Sequence, residues 1–235
     1  MNNTELNSPS KYHHNRRQIN WLLYDITDKY LTEFSKYYKG TLVDLGCGTA
    51  PYKEFFLQYA NSYIGVDWSE SIHEFKGDVI SNLNEKINLE DDFADTVVSL
   101  SVMEHLYNPE VFLSEAYRVL KNDGVFVLGV PWMWWIHEAP HDYYRYTSFG
   151  LKHLLQKAGF SEVEIIPTSG FFTTIFIKMN YFSVNFLKGS KFKVNLLRTL
   201  FRPFWFLSQK LAPYLDKYDK DWNKECQSYF VIAKK

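Results

Sequence analysis

A chain of 235 residues with 46% hydrophobic content can bury one substantial core, and nothing in that length calls for several. Its 26 basic and 27 acidic residues leave a net charge of −1, which argues against a nucleic-acid binder and against an acidic tail. Cys47 and Cys226 are too few for a disulfide framework, and residues 1–9 hold no apolar run for a secretory signal, so a reducing, cytoplasmic setting is expected.

Residues 1–11 are polar and rich in Asn and Ser, which predicts disorder, and a cationic cluster from Tyr12 to Arg17 follows. Apolar residues at Ile19, Leu22, Leu23, Ile26, Tyr30, Leu31 and Phe34 keep three- and four-residue spacing, so a helix is predicted over 18–36. From Thr41 short apolar runs alternate with helical stretches, the pattern of a mostly parallel sheet. Strands are predicted at 41–45, 62–66, 96–100, 125–130, 163–167 and 229–233, and helices at 52–59, 109–120 and 148–158. Thr147 or Ser148 can cap the last of these helices and Gly159 can end it. The organisation expected is a tail and helix over 1–39, an α/β unit over 40–168, a helical insertion over 169–225 and a final strand over 226–235.

Gly46 and Gly48 sit in a turn after the first strand, where glycine permits tight backbone geometry and close ligand approach. About twenty residues on, Asp67 ends the second strand and is placed to accept hydrogen bonds from two ribose hydroxyls. A dinucleotide site would need a third glycine where this chain has Pro51, so a different nucleoside cofactor is favoured. Leu42 to Thr49, Gly65-Val-Asp-Trp68, Gly77-Asp78 and Ser101 to Leu106 together resemble successive motifs of class I S-adenosylmethionine-dependent methyltransferases, of the type 11 group. That resemblance covers about 40–167 and the last strand. It implies a Rossmann-like sandwich with a seven-stranded, mostly parallel sheet, helices on both faces and a helical insertion before the last strand. It also implies S-adenosylmethionine as donor and S-adenosylhomocysteine as product. Carried across, Asp44, Gly46 and Gly48, with Cys47 between the glycines, face the methionine part, Asp67 the ribose and Asp78 the adenine amine. Trp68 lies against adenine, and Ser101 and His105 line the donor pocket, with a purely structural His105 as the alternative. Ala50 stands where many members have glycine.

The strand over 125–130 leads into a connector, Pro131 to Tyr146, crowded with aromatic, acidic and histidine side chains that suit stacking and hydrogen bonding to a substrate. A lid covering the core is the other reading. His137-Glu-Ala-Pro-His141 spells a zinc-protease pattern, but Pro140 would break the helix that pattern needs, so no metal site is expected. The stretch from His137 to Thr147 instead resembles methyltransferases associated with bacterial surface glycans. In the catalysis expected, His141 takes the acceptor proton and Asp142 or Glu138 assists through charge. Trp132, His137, Tyr143, Tyr144 and Arg145 bind the acceptor.

Residues 170–213 carry seven Lys or Arg and no Asp or Glu, in a setting rich in Phe and Leu. Leu197, Leu200, Phe201, Phe204, Leu207 and Leu211 keep helical spacing, with Pro203 marking a kink or a new start. Three roles stay open for this insertion: an amphipathic element at an anionic membrane surface, a cap over the acceptor pocket, or a homodimer contact. The activity expected is O-methylation of a glycan or glycolipid hydroxyl, in the cytoplasm or on the inner face of the membrane. A small metabolite, quinone or other lipid is the alternative acceptor, and a non-catalytic donor-binding scaffold the alternative of another class.

Overall fold

The computed structural model describes residues 8–11, 13–68, 77–221 and 224–235. Seven strands form one sheet: β1 (Thr41–Leu45), β2 (Ser62–Asp67), β3 (Val79–Ile80), β4 (Ala94–Leu100), β5 (Leu120–Pro131), β6 (Glu162–Pro167) and β7 (Ser228–Lys234). Their order across the sheet is β3-β2-β1-β4-β5-β7-β6. The first five run parallel, and β7 lies antiparallel between β5 and β6. The chain reverses its direction of winding between β1 and β4, and ligands of open α/β sheets bind beyond the strand ends at such a switch.

Alternation along the strands divides the core into two layers, because successive side chains point to opposite faces. Val43, Leu45, Val97, Phe126, Leu128 and Val130 face one side, where Phe112 and Leu113 of α3 (Pro109–Val119) and Leu151 and Leu155 of α4 (Ser148–Ala158) cover them. Leu42, Val98, Val125 and Val127 face the other. Tyr30 and Leu31 of α1 (Trp21–Glu33) and Phe55 and Phe56 of α2 (Lys53–Phe56) close that layer. The α4 bounds follow local chemistry: Thr147 accepts from the Gly150 N–H, and Gly159 ends the helix at φ +112°.

The insertion is a helical hairpin of α5 (Phe171–Ser183) and α6 (Lys191–Asp216). Its polar side chains point inward. Trp205 Nε1 donates to Ser183 Oγ at 2.8 Å, and Ser208 Oγ donates to Asn180 Oδ1 at 3.1 Å. Gln209, fully buried, accepts from the Leu22 N–H at 3.0 Å and so satisfies an amide at the start of α1. The outward face is apolar, with Phe192 79% and Leu200 65% exposed. Among the described residues no helix is long and apolar enough to cross a membrane.

Several expectations require correction. Residues 1–7 and Tyr12 lie outside the described residues, but Ser8 and Ser10 both bond the carboxylate of the buried Asp28, so residues 8–11 are ordered by a side-chain anchor rather than disordered. The first helix begins at Trp21 instead of 18 and tightens at its end into a 3-10 turn, Phe34–Tyr37. α2 is shorter than predicted, and β3, two residues long, was too short to show in the pattern. Pro203 neither starts nor ends a helix, since α6 runs through it.

Candidate active site

The donor end is built by three strand ends. Gly46 sits at φ +83°, and a Cβ there would fall 2.3 Å from Val102 Cγ2, so only glycine fits. The Gly46 and Cys47 amides donate to the Val66 carbonyl at 2.8 and 3.1 Å. Asp67 holds the turn from the other side: one carboxylate oxygen accepts from Gly48 N at 2.7 Å and the other from Trp68 N at 2.8 Å. Each oxygen keeps a lone pair for another donor. Asp44 is buried, and burial pushes its carboxyl up to about 7 despite the hydrogen bond that Tyr63 donates to it at 2.6 Å, with Asp67 adding to the rise. Ser101, just past β4, is held at φ +56° while its amide donates to the Gly129 carbonyl at 2.8 Å. Strained backbone of this kind costs about 1–3 kcal/mol and concentrates at functional sites.

The loop after β5 is pinned onto the 3-10 turn Met103–His105. The Tyr143 and Tyr144 amides both donate to the Glu104 carbonyl, at 2.9 and 3.3 Å, and Tyr146 Oη donates to the Met103 carbonyl at 3.2 Å. Arg145 is the loop's internal clasp. It donates to Asp142 Oδ1 at 2.5 Å and Oδ2 at 2.8 Å, and to the carbonyls of Trp134, Trp135 and Tyr144. Burial pushes the Asp142 carboxyl up, but the Arg145 bonds, the His137 amide and the nearby positive charge pull it down to about 2. Residues 137–143 form no helix, which removes the helical geometry a zinc-protease pair would need.

One cavity of about 650 Å³ joins both ends, within the usual size of ligand sites. Asp44, Gly46, Cys47, Gly48, Asp67, Trp68, Ser101 and His105 line its donor side, and His137, Glu138 and His141 its other wall. The remaining predicted residues lie off that wall. Asp78 accepts from the Gly65 amide at 2.8 Å, Trp132 packs against the core, and Asp142 and Arg145 bind each other. Tyr143 and Tyr144 are exposed outside the cavity. His141 packs edge-on against Trp68 at 5.6 Å, and its Nδ1 lies 3.4 Å from Tyr143 Oη.

Sequence reasoning passed over several cavity residues. Tyr24 of α1 and Tyr181 of α5 close it, together with His13, Arg17, Trp134 and Trp135. The cationic cluster before α1 was the visible signal for His13 and Arg17. Burial, followed by the neighbouring charge of His14, holds His13 at about 4. Glu104 is the larger omission. Its side chain is fully buried, both oxygens lack hydrogen-bond partners, and burial pushes its carboxyl up to about 8. His105 Nε2 lies 3.7 Å and His137 Nε2 3.9 Å from Glu104 Oε1, a grouping of donor atoms that could hold a metal ion.

A parallel sheet in this order with one antiparallel strand, a glycine turn clamped to the Asp67 carboxylate, and a cavity at the switch point define a Rossmann-like fold. Residues 43–128 match the family model described as a methyltransferase domain. A protein of Mycolicibacterium smegmatis described as a probable S-adenosylmethionine-dependent methyltransferase is 29% identical over 96 residues, which are 38% of this chain and 37% of that protein. A solved S-adenosylmethionine-dependent methyltransferase from Archaeoglobus fulgidus shares the fold at a TM-score of 0.57 and 20% identity, covering 90% of this chain and 94% of its own. Phosphoethanolamine N-methyltransferase 2 of Haemonchus contortus, solved with S-adenosylmethionine, shares it at 0.55 and 18%, covering 93% of this chain and 56% of its own. Over residues 43–128 the chain is similar to methyltransferase domains, and the comparison proteins named for S-adenosylmethionine make that molecule the cofactor to test against the site. The site fits it: a side chain at Gly46 would fill the cradle, and the buried Asp44 carboxylate offers a counter-charge for a cationic amine.

Proposed function

We propose that the protein is an O-methyltransferase acting on a hydroxyl of a glycan or glycolipid. The observation that carries this reading is the single cavity that runs from the glycine turn to His141. Bound S-adenosylmethionine supplies a methyl group on a sulfonium centre, and the chain's task is to align an acceptor oxygen behind that carbon and remove its proton. Asp44, Gly46, Cys47 and Gly48 hold the methionine part, Asp67 the ribose, and Trp68 and Ser101 border the purine. His141 takes the proton, with Glu138 on the same wall. Asp142 and Arg145 act through the loop they fasten, and Tyr143 and Tyr144 meet the acceptor where it leaves the cavity.

The hairpin favours a lipid-linked acceptor over a free metabolite. Tyr181 of α5 lines the cavity, while the outer face of the same hairpin exposes Phe182, Phe192, Leu200 and Phe206 beside seven basic residues. Apolar side chains flanked by Lys and Arg suit the inner, anionic leaflet. Incubation with labelled donor and an extract fractionated into glycans, lipids and small metabolites tests the reading. Label in the glycan or glycolipid fraction is expected. Label confined to small metabolites refutes the acceptor class, and donor binding with no labelled product in any fraction refutes the enzyme.

A further inference from the structure

Glu104, His105 and His137 come from two segments, the turn after β4 and the loop after β5, and meet on one wall of the cavity. What their ring nitrogens bind on the far side decides what they offer on the near side. His105 Nδ1 lies 2.6 Å from the His141 carbonyl, which can only accept, so Nδ1 carries a proton and Nε2 is the atom free to ligate. His137 Nδ1 faces Asp142 Oδ2 at 3.3 Å and Arg145 Nη2 at 3.4 Å. Both hydrogens of that Nη2 are already given at 2.8 Å, to the Trp135 carbonyl and to Asp142. Binding an ion through Nε2 requires the His137 tautomer with its proton on Nδ1, facing Asp142 Oδ2 instead of accepting from Arg145. Imidazoles whose second nitrogen is fixed by a carbonyl or carboxylate are the pattern found around metal-bound histidines.

Two imidazole nitrogens thus converge on a carboxyl group that is itself fully buried and unpartnered. Separations of 3.7 and 3.9 Å are too long for a shared proton, since hydrogen bonds close at about 2.5–3.2 Å. An ion bonded at about 2.0–2.1 Å holds tetrahedral neighbours about 3.3–3.4 Å apart, which a few tenths of an ångström of contraction reaches. Three protein ligands leave one tetrahedral position open for an oxygen ligand. We infer that Glu104, His105 and His137 form a binding site for a divalent transition-metal ion, zinc by its two imidazoles and carboxylate.

The ion would occupy the wall of the methyl-donor cavity, where it can hold an acceptor oxygen and lower the pKa of its hydroxyl. That role rests on the proposed methyl transfer, whereas the binding of the ion does not. The untagged full chain is stripped with chelator and titrated with zinc in a calorimeter, with S-adenosylhomocysteine titrated separately to report on the fold and donor pocket. One equivalent of zinc is expected. Affinity should fall at least about 100-fold in Glu104→Gln, His105→Ala and His137→Ala, and stay unchanged in Glu110→Gln, a surface carboxylate paired with Lys157. X-ray absorption of the zinc-loaded wild-type protein needs no variant to fold, and two imidazoles with one or two oxygens are expected. Zinc affinity that survives all three substitutions overturns the site, and so does a shell containing sulfur or lacking imidazole, or an absence of binding to the wild type. Loss of methyl transfer with zinc still bound would refute the proposed activity and leave the site standing.

Discussion

Replacing Asp44 by Asn separates two consequences of burying a carboxylate under the donor turn. Its carboxyl lies at about 7 in the folded chain against 3.8 for the free side chain. The folded state therefore keeps a proton that the unfolded state has released. The stability this represents is fully present below 3.8 and is lost as pH rises through 7. At about 1.36 kcal/mol per tenfold change in proton affinity, the loss between about pH 5 and about pH 8 is about 2–3 kcal/mol. Asn cannot titrate, so the stability difference between donor-free wild type and Asp44→Asn should move in the variant's favour by that amount. Urea unfolding at the two pH values measures it. Donor affinity should run the opposite way, tightening in the wild type as Asp44 ionises and faces a cationic amine, and remaining weak in the variant. A stability difference equal at both pH values would refute the assignment.

Gly46→Ala places a Cβ 2.3 Å from Val102 Cγ2 at a left-handed φ, so it should cost about 2–4 kcal/mol in denaturant unfolding and abolish donor binding. His141→Ala should lower turnover by about two to four orders of magnitude with donor affinity intact, by steady-state kinetics beside calorimetry. Arg145→Ala leaves the Asp142 carboxylate, 2% exposed, without its clasp, and should cost about 3–5 kcal/mol in thermal or denaturant unfolding. Gln209→Ala strips the buried acceptor from the Leu22 amide and should cost about 1–3 kcal/mol, with faster hydrogen exchange confined to the first turn of α1.

What the sequence made legible was local. α4 has its bounds written in Thr147 and Gly159, and the strands ending at Leu45 and Asp67 carry their turn chemistry beside them. Features that depend on distant partners were hidden. Glu104 reads as one more acid near a histidine until the fold closes His137 over it. Asp142 reads as a charge assisting the base and Arg145 as a substrate ligand, since nothing in their order reveals that each is the other's partner. Pro203 reads as a kink or a new start, yet packing of α6 on α5 and α1 carries the helix past its missing amide. Ser8 and Ser10 read as tail residues because the carboxylate that orders them lies some twenty residues away.

The bond from Gln209 to Leu22 limits how this chain can diverge. Its acceptor sits in the insertion and its donor at the head of the first helix, almost the full length of the chain apart, so the hairpin is not a cassette. A graft that exchanged α5 and α6 for those of a relative with a different target would also remove the group that begins α1, whose Tyr24 borders the donor cavity. The hairpin and the cavity wall are therefore inherited together. New specificities in this architecture should arise by substitution along the outer face of α6, where Phe192, Leu200 and Phe206 can change without disturbing what lies beneath.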